Sequence, residues 1–92
     1  MNHSSAYQTA QRAIADLKSA VHAVLAVAPS EGLSNAQIGR TLGIYDGHEG
    51  HEGHISRTLL ALLEAEGVAH QDSRTKRWSL RAHVDEASGD QA

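Results

Sequence analysis

The 92 residues include no cysteine, which excludes disulfides, thiolate zinc sites and cysteine nucleophiles together. No apolar run approaches the about 18 residues of a membrane span. The start, Met1-Asn2-His3-Ser4-Ser5, lacks a basic stretch followed by an apolar block. The expectation is therefore a cytoplasmic chain with no membrane partner. A phosphate-binding Gly-Lys-Ser/Thr motif and a Gly-x-Ser-x-Gly elbow are both missing. A Ser/His/Asp set can be drawn from almost any chain with seven histidines, so it carries no weight, and no enzyme is expected. An excess of positive charge is missing too. Eight Lys and Arg stand against eleven Asp and Glu, for a formal net charge of -3, which argues mildly against nucleic acid as a partner. What remains is 40% hydrophobic and 21% charged, the composition of one small globular domain.

The longest signal spans 5–28. Tyr7, Ala10, Ile14, Leu17, Val21, Val24 and Ala28 alternate spacings of three and four, a helical seam kept for three heptads. Ser4 or Ser5 is expected to cap this first helix, and Pro29 to stop it. Its length of about 33–36 Å exceeds what so small a core requires. Either the N-terminal half frays, or Tyr7, Ala10 and Ile14 overhang the domain and pair with a second chain. The expected partner is then a second copy, giving a homodimer through the first helix.

Ser34-Asn35-Ala36-Gln37 matches a capping box and opens a short second helix over 34–42, with Gly43 ending it. The segment 44–53 holds tandem acidic-Gly-His triplets, and glycine at every third position makes it a loop. A third helix is predicted over 54–66, with Ile55, Leu59, Leu62 and Leu63 as its buried stripe and Gly67 closing it. Val68-Ala69-His70-Gln71 and Arg77-Trp78-Ser79-Leu80-Arg81 read as the strands of a hairpin over 68–81, with Trp78 and Leu80 on the core face. The acidic, small-residue stretch 82–92 reads as a disordered tail. The fold class is thus mainly α with a small β-hairpin (α+β), in a single domain over 1–81.

The histidine loop invites a metal reading, because imidazoles at His48, His51 and His54 suit zinc, nickel or copper. Strong zinc signatures, however, use cysteine or paired helical histidines, and a triplet repeat through glycines holds ligands poorly. No cofactor is expected. The loop fits better beside DNA, where histidine titration near neutrality would make contact pH-dependent, or as a structural or partner-binding loop.

Three stretches, Gly32–Gly43, Ile55–Val68 and Arg74–Leu80, carry a resemblance to the winged helix-turn-helix class shared by MarR-, ArsR- and IclR-type regulators. It covers about Ser19 to Arg81. The resemblance implies three helices plus a two-stranded wing, with the third helix in a DNA major groove. The chain departs from the class in the about ten residues between the second and third helices, where three or four are usual. The implied function is sequence-specific double-stranded DNA binding by a small prokaryotic-type transcriptional regulator; the alternative is a winged-helix protein-interaction module that binds no DNA.

The residues themselves fit that reading. With the stripe turned inward, His54, Ser56, Arg57 and Thr58 face outward at the start of the third helix, and Arg57 can bond a guanine edge. Arg74, Lys76 and Arg77 make the hairpin tip basic, suited to phosphate contact, while a charged turn that protects an edge strand is the plainer account. Ser34 and Asn35 could bind a phosphate through their amides, although capping alone explains Ser34. By segment, 34–53 carries -2 (Arg40 against Asp46, Glu49 and Glu52). Segment 54–81 carries +2 (Arg57, Arg74, Lys76, Arg77 and Arg81 against Glu64, Glu66 and Asp72), and 82–92 carries -3 (Asp85, Glu86 and Asp90).

Overall fold

The computed structural model describes residues 2–45 and 52–89, with backbone alone at 87–89. Helix α1 (His3–Ala26) is capped by Asn2, whose side-chain oxygen accepts from the Ser5 N–H at 2.8 Å. The cap expected at Ser4 or Ser5 thus falls two or three residues earlier, and both serines lie inside the helix. At the other end the helix stops at Ala26, two residues short of expectation. The residue before Pro29 is pushed out of helical geometry, and the Ala28 N–H settles on the Leu25 carbonyl instead. Val21 and Leu25 are fully buried and Leu17 and Val24 pack beside them, whereas every residue from His3 to Asp16 is exposed.

After a turn, Leu33 forms an isolated antiparallel bridge to Trp78 through paired backbone bonds of 3.0 and 2.7 Å. The hairpin alone was expected; this bridge adds a third extended position beside it. Helix α2 (Asn35–Thr41) has the full capping box. The Gln37 N–H donates to Ser34 Oγ at 3.1 Å, and the Ser34 N–H donates to Gln37 Oε1 at 2.9 Å.

Helix α3 (His54–Ala65) buries Ser56, Leu59, Leu60 and Leu63. The predicted stripe is corrected here: Ile55 and Leu62 are 44% and 38% exposed, and Ser56 and Leu60 replace them inside. At about 100° per residue, the helix is turned some 60–70° from the expected face. The run Leu59-Leu60-Ala61-Leu62-Leu63 is apolar on both flanks, so periodicity alone admits either face. The small Ser56 decides it. It lets the backbone of α2 come close at Gly39, where an added Cβ would lie 2.9 Å from Ser56 Oγ.

Strands β1 (Ala69–Gln71) and β2 (Trp78–Leu80) pair antiparallel, with Ala69 opposite Leu80 and Gln71 opposite Trp78. Ala69, Trp78 and Leu80 join the leucines of α3, Ile38 of α2 and Val21 and Leu25 of α1 in one core. The chain then continues into α4 (Arg81–Gly89). The disordered tail expected from 82 is corrected over these residues. The Arg81 N–H bonds the Val68 carbonyl at 2.8 Å, and Val84 is half-buried, which gives the helix-forming residues that follow a foothold on the hairpin. Among the described residues, no helix is long and apolar enough to cross a membrane.

Candidate nucleic-acid interface

Three structural ends converge on the start of α2. On one side the Asn35 amide donates to the Gly53 carbonyl at 3.3 Å, and Gly53 is the residue that opens α3. Ser56 Oγ donates to that same carbonyl at 3.2 Å. On the other side Leu33 is bridged to Trp78, and the Arg77 guanidinium donates to the Gly32 carbonyl at 2.9 Å. The starts of α2 and α3 and the base of the hairpin are thereby held as one unit, even though the chain between α2 and α3 is long.

Gly53 is required where it stands. Its φ of +84° lies in the left-handed region, and a Cβ there would sit 2.6 Å from Asn35 Nδ2 and 2.9 Å from Tyr45 Cε2. Beyond it, His54, Arg57 and Thr58 are exposed on the first turns of α3, as expected. The Arg57 side chain reaches back to the Glu52 carbonyl at 3.3 Å. Ser56 does not share that face: it is fully buried, and its hydroxyl is engaged with Gly53, so it is corrected from a DNA contact to a packing residue.

Ser34 and Asn35 are both half-buried. Ser34 is committed to the capping box, and Asn35 to Gly53, with its Oδ1 buried and without a partner among the described residues. At the hairpin tip Arg74 and Lys76 are exposed. Asp72 organises the turn, its carboxylate accepting from the Arg74 and Thr75 N–H groups at 2.8 Å each. Those bonds, that of Thr75 first, hold its carboxyl below the ordinary value of 3.8, and the Arg74 charge adds to them. One fixed anion therefore stands among the tip cations. Lys76 adopts a φ of 66°, and Arg77 is half-buried by its bond to Gly32, less available than its neighbours.

Arg40 was not among the sequence candidates. It is exposed near the end of α2, and its guanidinium lies 4.5 Å from the Tyr45 ring centroid. An Arg followed five residues later by Tyr across a helix-ending glycine is the only sequence signal for it, and a weak one. Of the residues weighed as metal ligands, His48 and His51 lie outside the described residues, and His54 is exposed at the start of α3. No cluster of three or more His, Asp or Glu side chains able to hold a metal occurs among the described residues. Comparison with protein-family models, with curated proteins and with solved structures finds no match to this chain.

Proposed function

We propose that this chain is a winged helix-turn-helix domain that binds double-stranded DNA sequence-specifically, as a small prokaryotic-type regulator working as a homodimer. The observation that carries the reading is the convergence of the α2 start, the α3 start and the hairpin base. The order of elements, with Leu33 bridged to the hairpin between α1 and α2, supports the winged-helix assignment. In this reading α3 enters the major groove, with Arg57 and Thr58 toward base edges and His54 beside them. Arg74 and Lys76 take phosphates from the wing, and Arg40 is a further phosphate contact. The long segment after α2 does not undo the arrangement, because Asn35 ties the two helices where it matters.

A second reading, a protein-interaction module, draws on the exposed Ile55 and Leu62, which a helix facing only DNA has no need to present. Anisotropy of a labelled mixed-sequence duplex separates the two. Three to five phosphate contacts per chain, hence six to ten per homodimer, predict a loss of affinity of about 10³- to 10⁵-fold between 50 and 200 mM salt. Arg57→Ala should relax sequence preference, whereas Lys76→Ala should weaken all duplexes alike. Absence of binding at about 50 mM salt would remove the DNA reading and leave the interaction module.

A further inference from the structure

The turn of α3 away from its predicted face leaves a groove of about 280 Å³ between α1 and α3, floored by Ile14, Ile55, Leu59 and Leu62 and edged by His54 and Thr58. Among the described residues, no lysine, arginine or acidic side chain lines it. Next to it, α1 runs on from His3 to Asp16 with every residue exposed, and Tyr7 is 66% exposed. From Asn2 to Gln11 that overhang carries no Asp, Glu, Lys or Arg. Depletion of charge beside an exposed aromatic is the composition of an interface core rather than of a solvated helix. An uncovered helical extension of this length is also marginal in water without tertiary support.

We propose that a second copy of this chain covers the groove, with Tyr7 of each copy seated beside Ile14, Ile55 and Leu62 of the other. The proposal rests on the homodimer reading and gives it a geometry. Tyr7 and Ile14 belong to the same seam of α1, separated by about 10 Å along the axis. Two overhangs crossing antiparallel near Ala10 therefore bring Tyr7 of each to Ile14 of the other, as a two-fold contact requires. Ala10 at the crossing lets the backbones approach.

The two tyrosines contribute about 300–500 Å² of buried surface, toward the about 1,200 Å² of a stable interface. Ala10, Ile14, Ile55 and Leu62 of both copies supply the remainder. A phosphate backbone is a poor occupant, since among the described residues the groove offers it no fixed cation, and a lipid surface is a poor one because residues 2–11 lack the Lys and Arg of interfacial helices. Arg57 and Ala61 lie on the opposite side of the exposed arc of α3, so the docked copy flanks the DNA-reading face and borders it at His54 and Thr58.

The natural chain has no cysteine, which makes introduced ones unambiguous. Single variants Tyr7→Cys and Ile55→Cys, mixed and mildly oxidised, should give a disulfide-linked hetero-pair in excess of either homo-pair. In sedimentation equilibrium the natural chain should run at twice 9.8 kDa. Leu62→Glu and, independently, Tyr7→Glu should raise the dimer dissociation constant about 30-fold or more, with the near-ultraviolet circular dichroism of the buried Trp78 unchanged. A dimer without the hetero-pair overturns the groove geometry and leaves the homodimer standing. A natural chain that stays monomeric overturns both, while the duplex-binding measurement judges the DNA reading separately.

Discussion

At the scale of single residues, the hairpin tip is held by one carboxylate. Asp72 accepts two backbone N–H groups, and its carboxyl lies below the usual range for that reason. A depressed folded value means the stabilisation is fully present above the unfolded value, near 3.8, and is lost as pH falls through the lower folded one. Asp72→Asn should therefore lower the urea midpoint at neutral pH, and the gap to the natural chain should shrink in urea titrations at about pH 3 and below. Arg74 and Arg77 look interchangeable in the sequence and differ in the fold. Arg77 is bonded to the Gly32 carbonyl and half-buried, so Arg77→Ala should cost about 1–2 kcal/mol in urea unfolding. Arg74→Ala, at an exposed position, should leave the midpoint in place.

At the scale of elements, most boundaries were legible. The Ser34–Gln37 capping box marked the start of α2 because two side-chain hydrogen bonds depend on two residue types at one spacing. Trp78 and Leu80 marked the core face of β2 because alternation in a strand has only two solutions. The face of α3 was not legible, since its leucines occupy both flanks and the deciding contact, Gly39 against Ser56, joins residues far apart in sequence. The same distance hid the Asn35–Gly53 tie, on which the candidate interface depends. Gly53→Ala should cost at least about 2 kcal/mol in denaturant unfolding, because left-handed strain adds to a clash with Asn35 and Tyr45.

At the scale of the whole molecule, the principal extents of 54 × 31 × 19 Å reflect a core at one end and a bare α1 extension. If that extension is covered by a second copy, folding is linked to association. The thermal midpoint should then rise as chain concentration increases from about 1 to about 100 μM, and stay constant in Tyr7→Glu, as scanning calorimetry would register. Charge also has to be judged at this scale. The net -3 is a poor guide to partner, because residues 54–81 carry +2 and the acidic residues concentrate in 34–53 and in 82–92. With α4 packed on the hairpin rather than trailing free, Asp85 and Glu86 remain near the wing. In the DNA reading this disfavours indiscriminate binding and leaves specific contacts to decide affinity.

Sequence alone determined what depends on local spacing: the extents of the helices and strands before α4 to within two residues, the capping box of α2, the turn of the hairpin, and the absence of thiol chemistry. Tertiary structure decided which apolar side of α3 is covered, which of the outward-looking polar residues are engaged, and that α4 forms. Each of those outcomes is a contact between residues distant in the chain, and local periodicity carries no record of the partner's shape.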